Sequence, residues 1–504
     1  VYLWVNEDEI EIRSAEHLWG QDVPSTTDAL LAATNPKAKV ACIGPAGENL
    51  VLMAAIMNDK DRAAARSGVG AVMGSKNLKG VVAYGRKNPE FAETKKMREL
   101  SITIAKEVGA DMLAGSSLRE HGTAYVPQVT NTLGILPTRN WQAGTFEGVD
   151  TIDGPTLTEK YLIKPKPCYR CPIACGRLTE VPDGPYAGKG EGPEYESVGA
   201  LGSMCDVGDL EAITYAHLLC NDLGLDTVST GSTIAFAMEC YEKGILTKAQ
   251  TDGLALEFGD ADVMIELIRK IAKREGIGDL LAEGTKRVSE KLGQGSERFA
   301  MHVKGLELAA YDCRATKITG LAFCTANRGG DHITGYIQGP TFMDIPLLVV
   351  EESVIEDARV ENPAEAKIVK DLEDALSVFD AVGVCKFMGM ALMAEDITPI
   401  IAGATGWDFD VADFRKAGER IYNLARLFNI REGCTRADDT LPKRLTEEPL
   451  PDGPAKGLVV DLEPLLDAYY DFRGWDKTTG KPTAAVLKEL GLDEMVEKWG
   501  VNLK

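Results

Sequence analysis

A chain of 504 residues, 44% hydrophobic and 26% charged, can bury sizeable cores and is no disordered or low-complexity polypeptide; its length suggests about two to four domains. Its 55 basic and 77 acidic residues leave a net charge of −22, which argues against nucleic acid or an anionic membrane surface as partner. Eleven scattered cysteines, no apolar leader and no uncharged apolar stretch of membrane-spanning length point to a reducing, cytoplasmic setting.

The chain opens at Val1 inside "VYLWVNEDEIEI", whose alternation reads as a strand already under way, so we expect sequence ahead of it. Up to about Tyr84 short β-type runs such as "KVACIGPAG" and "KGVVAYG" alternate with glycines. Between them lies "DRAAARSGVGAVMGSKNLKG". Its GxGxxxG spacing misses the dinucleotide fingerprint and it lacks the order of a P-loop, so no nucleotide is indicated. Arg62, Arg66, Lys76 and Lys79 beside open amides could still hold a phosphate, against the plainer reading of a turn with solvated charges.

Beyond Lys87 the periodicity turns mainly helical. "KPCYRCPIACGR" sets Cys168, Cys171 and Cys175 at CxxC and CxxxC spacing; three thiols on one short loop cannot pair off as disulfides. A structural zinc site would prefer a second CxxC or an HxxxH nearby, and neither is present, so an iron–sulfur cluster fits better, with zinc and free thiols as the other readings. "GPEYES" then offers Glu194 and Glu196. The run "DLEAITYAHLLC" leads into "NDLGLDT", and "DVMIELIRKIAKREG" places Met264, Leu267, Ile268 and Ile271 on one helix face with Gly276 as its stop. "AAYDCRA" adds Tyr311 and a surface Arg314, and "NRGGDHITG" adds Arg328 and His332, an imidazole that could pair with a carboxylate for acid–base work. "ENPAEAKIVK" reads as a loop, after which "DLEDALSVF" leads into "DAVGVCK". Asn221 to Thr227 and Asp380 to Lys386 thus share one pattern: a polar residue, two spacers, a helix-ending glycine, an aliphatic residue, then Asp226 or Cys385. Such a pair would suit a pseudo-symmetric grip on two copies of one ligand; chance likeness is the competing reading.

Taken in order, "IGPAGEN", "AAIMND", "RSGVGAVMGSKNLK", "CYRCPIACGR", "GPEYES", "LGLDTVSTG", "YDCR", "NRGGDHI", "DAVGVCKF" and "DDTLPKR" resemble the tungsten-containing aldehyde:ferredoxin oxidoreductases over nearly the whole chain. The resemblance implies an α+β protein. An N-terminal β-rich cofactor-binding domain, incomplete here, would span residues 1–90, with mainly helical domains at 91–302 and 303–504. It implies a tungsten (or molybdenum) bis-molybdopterin centre with no protein ligand on the metal, a 4Fe-4S cluster, and a magnesium ion between the pterin phosphates. Cys168, Cys171, Cys175 and Cys385 would hold the cluster. Arg62, Ala63, Arg66, Asn221, Leu225, Asp226, Arg328, Gly329, Asp380 and Lys386 would contact pterin or phosphate, with the Ala63 carbonyl on magnesium. Glu196 would be the general base, His332 would hydrogen-bond the aldehyde oxygen and Tyr311 would position it.

Departures are local. Asn221 stands where the family usually has Asp, Ala65 replaces a glycine, and Thr334 stands where some members carry a lysine. Tyr215 and Ile265 occupy positions where one branch has a Glu and a His on an interfacial metal, so that site is not expected here. The implied activity is oxidation of an aldehyde to a carboxylic acid, electrons passing through the cluster to ferredoxin or a ferredoxin-like subunit, in an assembly with copies of itself or with another subunit. The alternative is a relative with the same cofactor and another reaction, such as the ring-reducing subunit of a class II benzoyl-CoA reductase.

Overall fold

The opening alternation belongs to two strands rather than one. In the computed structural model, which describes residues 1–111, 117–342, 355–501 and 503, β1 (Tyr2–Asn6) turns back at Glu7, φ 54°, into antiparallel β2 (Glu9–Arg13). β3 (Lys39–Cys42), β4 (Ile56–Asn58), β5 (Arg62–Ala64) and β6 (Gly80–Tyr84) complete a mixed sheet in the order β2-β1-β6-β3-β4-β5. Trp4, Val40, Met57 and Val82 form its own small core with Val23 and Leu30 of the helix Val23–Ala33. That helix begins cleanly, because the Asp22 side chain accepts from the Ser25 N–H at 2.8 Å and Pro24 needs no donor in the first turn. β5 is an edge strand, so Arg62 and Ala63 sit where one row of backbone groups has no neighbouring strand.

The rest is mainly helical, around one large core that includes Phe236, Ile268, Leu321, Leu372 and Leu466. The predicted apolar face of Met264, Leu267, Ile268 and Ile271 is buried in the helix Ala261–Lys273. Its stop is displaced from the expected glycine: Arg274 takes the left-handed cap at φ 53°, its N–H bonding back to the Ile271 and Lys270 carbonyls, and Gly276 begins the next short helix. The expected loop at "ENPAEAKIVK" is mostly helix, since Ala366–Val382 starts there and buries Ala366 and Val369. Arg314 is buried rather than on the surface, with Nε donating to Asp312 at 3.0 Å. Among the described residues no helix is long and apolar enough to cross a membrane.

A three-stranded sheet, β7 (Leu162–Lys166), β8 (Gly176–Val181) and β9 (Gly188–Glu191), carries the cysteine loop between its first two strands. The N-terminal sheet region is stitched to the helical body by backbone: the Ala55 N–H donates to the Gly224 carbonyl at 2.8 Å and the Asp226 N–H to the Met53 carbonyl at 2.9 Å. Gly224 has φ 75°, and a Cβ there would lie 2.8 Å from the Gly44 nitrogen, so only glycine allows the two chains this close.

Helix packing relies on a second bare contact. A Cβ on Gly418, in the helix Val411–Arg431, would fall 2.1 Å from the Asp374 carbonyl oxygen of Ala366–Val382. Gly109, in the helix Thr94–Ala110, has nothing within 4 Å of such a Cβ. Alanine favours a helix by about 1 kcal/mol over glycine, whereas overpacking costs about 1–3 kcal/mol. Gly418→Ala is therefore expected to lower the thermal unfolding midpoint and Gly109→Ala to hold or raise it; shifts of the same sign would contradict this packing.

Candidate active site

The two like loops adopt the same backbone. The helix Leu210–Leu223 ends at Gly224, φ 75° and ψ 47°, and Ala366–Val382 ends at Gly383, φ 73° and ψ 27°. In each, the glycine N–H returns to the residue three before it (Asn221 or Asp380) and the next N–H to the residue five before it (Cys220 or Phe379). Asp226 then caps the helix Thr227–Glu242, accepting from Val228 and Ser229 N–H at 3.1 and 3.3 Å, while Cys385 precedes the short 3-10 helix Lys386–Met390. A cavity of about 520 Å³ lies at the first loop's helix, lined by Met53, Gly68, Ser229 and Arg328. One of about 540 Å³ lies at the second, lined by Thr334, Asp380, Lys386 and again Arg328.

The polar residues between them differ in how occupied they are. The Asn221 amide is 3.1 Å from His217 Nε2, and Leu225 is buried. Asp380 is largely exposed and pairs with Lys386 at 3.0 Å, whose Nζ also donates to the Ile333 carbonyl at 2.7 Å. Arg66 reaches across from the sheet region, donating to the Gly330 carbonyl at 3.3 Å and lying 3.5 Å from Asp226 Oδ2. Arg328 pairs with buried Asp331 at 2.8 Å. Burial alone would raise the Asp331 carboxyl, but Arg328, His332 and Arg66 outweigh it and hold it well below the usual carboxylate range. Gly329, φ 104°, could carry no side chain, since a Cβ would meet the Val303 carbonyl oxygen at 2.4 Å. Lys79 leaves the expected phosphate cluster: it is fully buried, bonded to Glu48 and to the Gln21 carbonyl.

Glu196 stands in the first turn of the helix Tyr195–Leu201. Its Oε2 accepts the Ala310 N–H at 3.0 Å, and its Oε1 lies 3.5 Å from His332 Nε2. Glu196 Oε1 and His332 Nδ1 are buried without hydrogen-bond partners among the described residues. Burial pushes the His332 imidazole below its ordinary value, against the pull of Glu196 and Asp331, so the ring is neutral at neutral pH. Aromatic rings wall this pair: Tyr311 lies 5.5 Å from His332 and 5.0 Å from Tyr195, and Tyr336 lies 6.5 Å from His332 and 6.0 Å from Phe387. Burial, then the charge of Glu196, drives the Tyr311 hydroxyl well above its ordinary value.

Cys385 is brought to the other three cysteines. Burial raises its thiol, the Phe387 N–H lowers it, and Cys171 and Cys168 raise it further; Cys175 is raised by burial, Glu194 and Cys385. Cys434 instead neighbours Asp438, Lys304, Arg426 and Asp439. Among the described residues no three His, Cys, Asp or Glu side chains are close enough to hold one metal ion. Arg62, 2.6 Å from Glu191 and donating to the Lys166 carbonyl at 3.3 Å, sits beside Cys168 and Cys175.

Against this geometry, a family model for the N-terminal domain of aldehyde ferredoxin oxidoreductase matches residues 1–85, and one for its domains 2 and 3 matches residues 99–492. The chain belongs to the aldehyde ferredoxin oxidoreductase family. It is therefore an oxidoreductase. The tungsten-containing aldehyde ferredoxin oxidoreductase of Pyrococcus furiosus is 43% identical over 98% of this chain and 80% of its own, and that of Thermococcus kodakarensis is equally similar. The WOR-like subunit of a P. furiosus aliphatic sulfonate oxidoreductase is 32% identical over 98% of this chain and 78% of its own. Among solved structures, a benzoyl-coenzyme A reductase active-site complex, BamBC, bound to 1,5-dienoyl-CoA superposes with a TM-score of 0.81 at 26% identity, covering all of this chain and 81% of that one.

The site fits the cofactors that such a family uses: buried polar atoms of Glu196 and His332 lack partners among the described residues, a side chain at Gly383 would meet open space, and Cys385 lies near Cys168, Cys171 and Cys175. The Tyr215 hydroxyl accepts from Arg269 at 3.0 Å, and Ile265 is buried. Sequence reasoning missed Tyr195, Asp331, Tyr336 and Phe387. Tyr195, Asp331 and Phe387 flank residues already singled out, whereas Tyr336, at φ 40°, gives no sign in the sequence of its strained backbone. Cys385→Ser is expected to lose iron and the reduced-cluster signal in electron paramagnetic resonance, and Cys434→Ser to keep both; the reverse pattern would overturn the grouping of cysteines.

Proposed function

We propose that this protein oxidises an aldehyde to a carboxylic acid at a tungsten, or molybdenum, bis-molybdopterin centre, two electrons leaving through a 4Fe-4S cluster to ferredoxin or a ferredoxin-like subunit. The observation that carries this reading is the Glu196–His332 pair, 3.5 Å apart with an unpartnered carboxylate oxygen, in an aromatic chamber beside the two glycine-capped loops. The metal centre and cluster, when bound, supply the two-electron redox chemistry and its outlet. Cys168, Cys171, Cys175 and Cys385 would hold the cluster; Arg62, Arg66, Asn221, Leu225, Asp226, Arg328, Gly329, Asp380 and Lys386 would hold the pterins and their phosphates, with magnesium on the Ala63 carbonyl of the edge strand.

The chain's own residues bind, orient and move protons. Glu196 Oε2 is fixed by the Ala310 N–H, which aims Oε1 into the chamber as a base for water attacking the carbonyl carbon. Neutral His332 donates a hydrogen bond to the aldehyde oxygen, where negative charge grows as water adds. Tyr311 and Tyr195 close the chamber with rings, favouring an apolar aldehyde side chain and keeping bulk water out. The 43% identity to aldehyde-oxidising relatives, against 26% to the benzoyl-coenzyme A reductase complex, favours aldehyde oxidation over ring reduction.

Glu196→Gln is expected to keep tungsten and iron but cut aldehyde turnover with a viologen dye by roughly 100-fold or more, the scale of a lost general base. Near-normal turnover at full metal content would assign the proton to another group.

A further inference from the structure

The protein carries a charge of −22, yet between Glu159 and Glu180 there is no acidic residue and there are five basic ones: Lys160, Lys164, Lys166, Arg170 and Arg177. This run contains the three-cysteine loop. Arg177 is buried on backbone carbonyls and Lys166 pairs with Asp61 and Glu191, but Lys160, Lys164 and Arg170 are exposed and pair with no carboxylate of the described residues. Tyr169, 87% exposed, stands out between Cys168 and Arg170, whose guanidinium lies 5.3 Å from its ring. Beside the loop is an apolar groove of about 250 Å³, lined by Met97, Leu100, Ile104, Arg170, Pro172 and Met388, the last only three residues past Cys385. The helix Thr94–Ala110 that forms its far wall adds Lys95, Lys96, Arg98 and Lys106 against Glu99 and Glu107.

We infer that this groove, lined by Arg170, together with the exposed Tyr169 beside it in the chain and with Lys160 and Lys164 of the segment that leads into the cysteine loop, is the docking surface for a small acidic iron–sulfur protein that takes electrons from the cluster. The inference rests on the proposed function and names its outlet. An apolar floor with a charged rim and an exposed aromatic is the make-up of a protein-binding patch. Charge decides the occupant: an acidic carrier is repelled by the molecule as a whole, but beyond a screening length of about 8 Å at physiological salt that repulsion fades and the local bases dominate. Cys168 is itself exposed, so a protein seated here would come to the edge of the cysteine cluster.

The sign of the salt dependence is the first readout. With an acidic ferredoxin as acceptor, kcat/KM of the holoenzyme should fall as salt rises; repulsion between two acidic proteins without a basic patch would make it rise. The charge reversals Lys164→Glu with Arg170→Glu should lower ferredoxin kcat/KM about tenfold or more, flatten its salt dependence and weaken ferredoxin binding measured by calorimetry. Turnover with methyl viologen should stay within about twofold, since added carboxylates attract rather than repel this cation. A second variant, Lys160→Glu with Lys164→Glu, leaves the cysteine loop intact and decides the matter should the first lose iron. Wild-type ferredoxin kinetics and binding in that variant would overturn the docking surface. Failure of the functional reading is separately visible, as absence of viologen-linked aldehyde oxidation in the wild-type holoenzyme.

Discussion

The approach of Gly224 to Gly44, with a missing Cβ at 2.8 Å from backbone nitrogen, is the constraint on which the site depends. It lets the backbone after the helix Leu210–Leu223 join the sheet region by hydrogen bonds from Ala55 and Asp226. That seam carries Ser229 and Met53 to one side of a cavity and sets Asp226 3.5 Å from Arg66, which comes across from the sheet. A side chain at either glycine would separate the elements and leave buried peptide groups unpaired, at about 1–3 kcal/mol each.

Electrostatics then divides the site into charged and neutral groups. Buried Asp331 is held ionised by Arg66 and by Arg328, whose side chain reaches solvent. Desolvation keeps His332 neutral and Tyr311 protonated, so the chamber presents donors and one carboxylate rather than a cluster of like charges. The cysteines sit at the outer side, beside Arg62 and the basic run that borders the groove.

Much of this was legible because it was written in short, rigid patterns. Glycine at the end of a helical run predicts the left-handed cap, and both Gly224 and Gly383 take it. A periodic apolar face predicts burial, and Met264 to Ile271 follow it. Other expectations failed where tertiary contacts outrank local pattern. Arg274 rather than Gly276 ends its helix because its side chain is held by the Asn49 and Leu50 carbonyls and by Glu283. Lys79 looked like a solvated cation, but Glu48, thirty-one residues earlier, takes it into the core. Tyr336 and Asp331 were invisible as site residues, since nothing local says that a strained turn will set one ring against His332 and one carboxylate between two arginines.

The central claim is that the paired loops and the four cysteines serve one redox centre beside Glu196 and His332. Elemental analysis of the anaerobically prepared protein tests it most directly. The account predicts tungsten or molybdenum bound together with iron, at about four iron atoms for each heavy-metal atom. Iron with neither heavy metal, or zinc in place of iron, would contradict it.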